Sequence, residues 1–281
     1  MIVDGKKIAG EILNETKTKI EALQQAQGKS FRFAAILVEG NQLAESFLKI
    51  KQKAAEKIGV DFRIYKYPEN ISTSKLRKEV ISLSKAKVNT GVIVELPLPK
   101  HLNTQHILNA IPETKDIDVL SQKSFGAFIM NRSKILPPVV EAVKVIFDKF
   151  NVDVKGKNVA VFGYGQLVGK PIAHWLLQNM ATVIVINEFT KDPASLSKSA
   201  DIIISGVGKP GLITADMVKN GATVIDFGYE EGSGLGDIDF DAVVKKASLI
   251  TPVPGGMGPI VVASLFKNLL KLSNTLDTKY T

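Results

Sequence analysis

The 281-residue sequence contains no cysteine. That excludes disulfides and thiolate metal sites and fits a reducing compartment. Histidine is scarce as well, with only His101, His106 and His174. The first two are five residues apart, off the i, i+4 spacing that places a metal pair on one helix face, so no metal site is expected. No uninterrupted apolar run is long enough to span a bilayer, and no basic-then-apolar leader pattern opens the chain. The expectation is a cytoplasmic protein without membrane contact. Aromatics are few: one tryptophan and five tyrosines accompany a net charge of +8 whose lysines are spread along the chain. A nucleic-acid reader more often shows a basic stripe or aromatic platforms, so none is expected as a partner. The charge reads as solubility or, alternatively, as attraction for a polyanionic small molecule.

What the chain does have is 45 % apolar and 23 % charged residues, enough for a sizeable core in one large domain or two. Apolar positions alternate between strand-like and helix-like spacing. Residues 6–26 read as a helix, Phe33–Val38 as a buried strand, and Ala44–Ile58 as a helix closed by Gly59. Val60–Tyr67 is a second strand, Ser74–Ser84 a helix, Gly91–Leu96 a fully buried strand and Thr104–Ala110 a short helix. This is the rhythm of a parallel sheet with covering helices. Pro112–Pro138 is irregular and reads as a linker before a helix at Val139–Phe150. A second series follows, with strands at 158–162, 182–186, 200–205, 223–227 and 248–250. The predicted class is α/β in two lobes. Residues 1–138 form an N-terminal parallel-sheet lobe, with the helix of 260–281 packing back on it. Residues 139–259 form a C-terminal Rossmann-type lobe. The polar tail from Ser273 on is expected to fray.

Four glycine turns end strands of the second series. Val159–Gly169 runs from a buried strand through Gly163, Tyr164 and Gly165 into a helix read at Leu167–Met180, with Gly169 near its start. Gly163 and Gly165 would let the backbone turn and approach a pyrophosphate, and Gly169 would allow close helix–strand packing. The next strand ends at Asn187-Glu188, where an acid would hold a ribose 2′-hydroxyl; a plain glycine turn beside a surface glutamate is the other reading. Ser205–Pro210, with Val207 and Gly208, and Phe227-Gly228-Tyr229 are two more turns. The fourth is Ile250–Pro259, with three prolines and three glycines in ten residues. It reads as a shaped ligand loop ending on a helix N-terminus, or as a tight connection.

In the first lobe, Phe47 and Lys51 share a helix face at i, i+4, a spacing equally compatible with a surface pair. Glu95 ends a buried strand, a costly place for a carboxylate unless Lys51 pairs with it. Asp116 and Asp118 read either as ligand-reading acids or as exposed turn acids.

Taken together these stretches resemble the bifunctional methylenetetrahydrofolate dehydrogenase/methenyltetrahydrofolate cyclohydrolase family. The matches are Lys53–Gly59, Leu96-Pro97-Leu98-Pro99, Lys115-Asp116-Ile117-Asp118, Ala200–Ser205 with Val207–Pro210, Gly236–Phe240 and the proline–glycine loop. The resemblance implies a two-lobed homodimer that oxidises 5,10-methylene-tetrahydrofolate with NAD or NADP and hydrolyses the methenyl product to 10-formyl-tetrahydrofolate. It maps an essential lysine onto Lys51, a pterin-reading aspartate onto Asp118, and a folate and cofactor loop onto Pro254, Gly255 and Gly256. It places cofactor contacts at Gly163, Tyr164, Gly165, Gly169, Glu188, Val207, Gly208 and Tyr229.

Departures from the family pattern also stand in this chain. Its catalytic tyrosine is Phe47, a nearby serine is Ala44, and the glutamine that tunes the lysine is Glu95. A carboxylate there should favour the charged lysine and blunt it as a base. The glycine after the aspartate is Val119, and a Pro-Cys-Thr-Pro segment is Pro137–Val140. Tyr164-Gly165 stands for Arg-Ser, and Glu188 for serine, so a cation is lost and an anion gained where a 2′-phosphate would sit. NAD is therefore expected over NADP. The alternatives are a catalytically degenerate folate- or dinucleotide-binding homologue and an oxidoreductase acting on another small anion.

Overall fold

The computed structural model describes residues 1–273, so the tail at 274–281 lies outside the described residues. Its first elements are α1 (Gly5–Gln27), β1 (Arg32–Val38), α2 (Gln42–Lys57), β2 (Asp61–Tyr67), α3 (Thr73–Lys85), β3 (Gly91–Val94), α4 (Thr104–Leu108), α5 (Gln122–Ile129) and α6 (Pro138–Phe150). Then come β4 (Asn158–Phe162), α7 (Gly169–Gln178), β5 (Thr182–Ile186), α8 (Pro193–Lys198), β6 (Ile202–Ser205), β7 (Thr223–Asp226), α9 (Phe240–Val243), β8 (Leu249–Ile250) and α10 (Met257–Ser273). Two compact units divide the chain: Gly10–Pro138 with the described part of 262–281, and Met1–Ala9 with Val139–Val261. No described helix is long and apolar enough to cross a membrane.

The first unit holds a parallel sheet in the order β2-β1-β3, with Phe33 opposite Phe62 on one side and Gly91 on the other. β1 is almost wholly buried, so it reads as a continuous apolar run rather than an alternation. On one face Ala34, Ile36, Val92 and Val94 pack with Leu76 and Val80 of α3 and Ile107 and Leu108 of α4. Phe33 meets Phe62 at 4.8 Å and Phe266 of α10 at 5.5 Å between ring centroids. Each such fully buried side chain contributes roughly 1.5–3 kcal/mol.

Short polar side chains start the helices. Asn41, Asn103 and Ser121 accept from the backbone N–H of Ala44, His106 and Ser124 at 3.0, 3.0 and 3.2 Å. The last of these opens α5, which corrects the sequence expectation of an irregular linker through Pro112–Pro138. Gly126 in its middle and its eight-residue length hide it from periodicity, while Phe125 and Phe128 anchor it at 5.8 Å from each other.

The second unit holds five parallel strands in the order β5-β4-β6-β7-β8. Ala160, Phe162, Ile203, Val224 and Ile250 line one core face together with Val243 of α9. The chain's own beginning borders this sheet: Val3 N–H donates to Ile250 O, and Ile250 N–H to Met1 O, both at 2.9 Å. α7 starts at Gly169 and α10 at Met257, two residues later and three residues earlier than the apolar runs indicated. Pro259 sits in the first turn of α10, where its missing N–H has no helical partner to lose. In each sheet the first strand has its sequence successors on opposite sides. That creates a switch point, and ligands in open α/β sheets gather there beyond the carboxyl ends of the strands.

Candidate active site

In the first unit the switch point lies at the ends of β1 and β3. Glu95 follows β3 directly, its N–H bonded to Ile36 O at 2.9 Å, and it is only 6 % exposed. α2 buries Ala44 and Leu48 and carries Lys51 to this edge, where its Nζ donates to Glu95 Oε1. The side chains are 13 % and 5 % exposed, so each charge compensates the other's lost hydration. Phe47, one turn earlier on α2, keeps an exposed ring. Asp118 completes the group. Burial pushes its carboxyl up to about 7; Lys51 opposes the shift, and the negative charges of Asp116 and Glu95 add to it.

Asp116 is not an exposed turn acid. It is buried and accepts from Leu120 N–H at 3.3 Å and Ser121 N–H at 2.8 Å, shaping the turn that enters α5. Directly after Asp118 lies the backbone oddity of the site. Val119, where the resembled family has glycine, is held at φ +59° and is fully buried. A β-branched residue in that left-handed region is strained.

The second unit places Gly163, Val207, Gly208 and Tyr229 beyond the carboxyl ends of β4, β6 and β7, with Gly255 and Gly256 beyond β8. Gly163 is at φ +84° and donates to Ile186 O at 2.8 Å. A Cβ on Gly169 would collide with the Gly163 carbonyl, so the start of α7 and the glycine turn lie in direct contact. α7 has no side-chain cap; Lys170 N–H donates to Gly165 O at 3.0 Å and Pro171 has no N–H, so the Gly169 N–H is the donor its first turn offers an anion. A Cβ on Gly165 would meet nothing, so that backbone is open to approach. Tyr164 is exposed with the Lys170 ammonium 5.7 Å from its ring centroid, and Glu188 is exposed in the turn after β5. These residues fit a dinucleotide: an uncapped helix start for the pyrophosphate and a carboxylate for a ribose hydroxyl.

Two features of this arrangement were not singled out from the sequence, the paired acids Asp237 and Asp226 and then Gly5. Asp237, fully buried, accepts from Ser205 Oγ at 2.5 Å and from the N–H groups of Val207, Gly208 and Lys209 at 2.7, 2.8 and 2.7 Å. Those three donors are occupied, so this loop is no phosphate cradle, and it presents an exposed Val207 side chain beyond β6. Asp226 beside it accepts from Gly228 N–H at 2.7 Å and Ile238 N–H at 3.1 Å; burial, with help from Asp237, pushes its carboxyl up to about 6. The second feature is Gly5. A Cβ there would strike the Gly256 carbonyl, so the N-terminal segment backs the proline–glycine loop at backbone distance. The glycine before Asp237 was a possible signal, since a Cβ on Gly236 would strike the Asp226 carboxylate. Among the described residues no group of three or more His, Cys, Asp or Glu is placed to hold a metal.

Fold and site define an α/β dinucleotide-binding protein whose other unit holds a buried lysine–carboxylate pair. Comparison with known proteins makes this specific. Residues 3–118 match the catalytic domain of tetrahydrofolate dehydrogenase/cyclohydrolase, and residues 137–276 match its NAD(P)-binding domain. The bifunctional protein FolD of Nitratiruptor sp. is 40 % identical over 272 residues, covering 96 % of each chain. The crystal structure of the bifunctional FolD enzyme of Campylobacter jejuni superimposes with a TM-score of 0.94 at 35 % identity, covering 98 % of this chain and 99 % of that one. The FolD enzyme of Trypanosoma brucei, solved with NADP and an inhibitor, gives 0.93 at 30 % identity over 99 % and 98 %. The chain belongs to the tetrahydrofolate dehydrogenase/cyclohydrolase family.

Proposed function

We propose that this chain oxidises 5,10-methylene-tetrahydrofolate with a nicotinamide dinucleotide and hydrolyses the resulting methenyl cation to 10-formyl-tetrahydrofolate, with Lys51 as its acid/base residue and the hydrolytic half restrained by Glu95. The observation that carries it is the buried Lys51–Glu95 pair with Asp118 beside it, in a chain matching both family domains over most of its length. The bound dinucleotide supplies a hydride acceptor. Everything else falls to side chains. Asp118, when ionised, accepts from the N–H edge of the pterin, and Phe47 stacks on its ring. Lys51 donates a proton to the folate nitrogen whose bond to the one-carbon unit breaks during hydrolysis. The same Nζ must turn to the attacking water to take its proton, and the ion pair with the Glu95 carboxylate holds it elsewhere. Pro254, Gly255 and Gly256 form the ligand loop of the second unit, backed by Gly5.

NAD is the preferred cofactor. Glu188 can accept from a ribose 2′-hydroxyl but repels a 2′-phosphate, and Tyr164-Gly165 offers no guanidinium to hold one. The family likeness also supports a homodimer, which sedimentation equilibrium tests, and a cytoplasmic site of action. Steady-state assays of methylene-tetrahydrofolate oxidation with NAD and with NADP, and of methenyl-tetrahydrofolate hydrolysis, which consumes no dinucleotide, test the reading. The expected outcome is turnover of both substrates, with kcat/KM for the oxidation at least tenfold higher with NAD. Absence of turnover with either cofactor contradicts the activity, and a preference for NADP contradicts the role of Glu188.

A further inference from the structure

Among the large apolar side chains described, Phe189 is the most exposed, at 83 %. It does not sit on a loose loop. Its N–H donates to Asn187 Oδ1 at 2.9 Å, Asn187 N–H donates to Thr190 Oγ1 at 2.9 Å, and Thr190 N–H donates to Asn187 O at 3.0 Å. The turn is closed on itself and holds the ring out toward water. A phenylalanine held this way gains nothing for the fold, since an exposed ring forgoes the burial that makes aromatics stabilising.

Its position supplies a use. β4 and β5 pair with Phe162 opposite Ile186, and Gly163 N–H reaches Ile186 O, so the turn 187–190 lies beside the glycine turn 163–165. With the pyrophosphate at the start of α7 and Glu188 on the ribose, the base is the next group along the dinucleotide. The 2′-hydroxyl adjoins the carbon that bears the adenine, so the residue following the carboxylate is within reach of the base.

We propose that Phe189 is the adenine platform of the cofactor site, stacking its ring on the base while Glu188 holds the neighbouring ribose. This rests on the dinucleotide reading of the second unit. A flat apolar ring recognises the π-face of the base whatever stands on the ribose, so Phe189 sets affinity for the adenosine half and Glu188 sets the choice between NAD and NADP. Exposure also makes the residue dispensable for folding, which separates binding from stability.

The test measures binding of NAD, ADP-ribose and nicotinamide mononucleotide to the full chain, unsubstituted and as Phe189→Ala and Phe189→Tyr. Phe189→Ala is expected to weaken NAD and ADP-ribose about five- to thirtyfold, the weight of one base–aromatic stack. It is expected to leave nicotinamide mononucleotide, the melting temperature and the oligomeric state unchanged, and Phe189→Tyr to restore NAD binding. The proposal is overturned if Phe189→Ala binds NAD as tightly as the unsubstituted chain, or loses nicotinamide mononucleotide in the same proportion. It is equally overturned if Phe189→Ala changes only the oligomeric state, which would make the ring a contact with a second copy. Failure of the unsubstituted chain to bind any dinucleotide overturns the cofactor reading beneath it. Normal NAD binding that Phe189→Ala leaves intact overturns this inference alone.

Discussion

Val119 holds a β-branched side chain at φ +59° directly after Asp118. Only glycine adopts that region without strain, and other residues give up roughly 1–2 kcal/mol there. Replacement tests whether the strain is real. Glycine ordinarily destabilises a site relative to alanine through its looser unfolded chain, by about 0.5–1 kcal/mol. Here Val119→Gly is expected to be about 1 kcal/mol more stable than Val119→Ala in urea unfolding; the opposite order removes the strain from the account. Asp118 itself yields a pH effect. Its carboxyl is pushed up to about 7 in the folded state by burial, with Asp116 and Glu95 adding and Lys51 opposing. The folded protein therefore retains a proton that the unfolded chain releases near 4. The stability linked to this group is full below about 4 and is lost as pH rises through about 7. Asp118→Asn does not titrate, so it is expected to gain on the unsubstituted protein by on the order of 2 kcal/mol between pH 5 and pH 8. Equal differences in urea midpoint at the two pH values contradict this.

At the scale of elements, Asp237 ties the loop after β6 to the segment before α9 through one buried carboxylate and four donors. Asp237→Asn keeps the shape but turns an acceptor into a donor facing N–H groups. The expected cost is roughly 2–4 kcal/mol in urea unfolding, together with weakened dinucleotide binding, because Val207 and Gly208 lose their placement. A variant of unchanged stability refutes the carboxylate's part in holding the loop. This residue also shows where sequence reading stops. Strands β1, β3, β4, β6 and β7 were legible because parallel strands covered on both faces are continuous apolar runs. The Lys51–Glu95 contact was legible because a carboxylate ending a buried strand needs a cation. The partners of Asp237 are backbone N–H groups about thirty residues away, which no side-chain pattern reveals. Asp116 was open to an exposed reading for the same reason: its burial comes from tertiary packing and its donors are backbone. Gly5 escaped because its meaning lies in the distant Gly256 carbonyl. α5 escaped because eight residues with a central glycine show too little periodicity.

At the scale of the whole molecule, the chain keeps both domains of its family, and its departures from the resembled pattern fall at the proposed chemical and cofactor sites together. Phe47 stands where the resembled pattern has a hydroxyl, Glu95 where it has an amide, and Glu188 where it has a neutral side chain. The scaffold is independent of these positions, since the sheets and cores are built from other residues. The net charge of +8 complements two anionic ligands, a folate and a dinucleotide, and is expected to act on encounter rather than on fold. The central claim is that Lys51 is the acid/base group and that Glu95 restrains it. The most direct measurement is the rate of methenyl-tetrahydrofolate hydrolysis at neutral pH by the unsubstituted protein, Lys51→Met and Glu95→Gln, each checked for folding by its urea midpoint. Lys51→Met is expected to lose about a hundredfold or more, the usual weight of one positioned proton-transfer group. Glu95→Gln is expected to hydrolyse several-fold faster than the unsubstituted protein. A folded Lys51→Met variant that hydrolyses at the unsubstituted rate, or a folded Glu95→Gln variant that is no faster, contradicts the account.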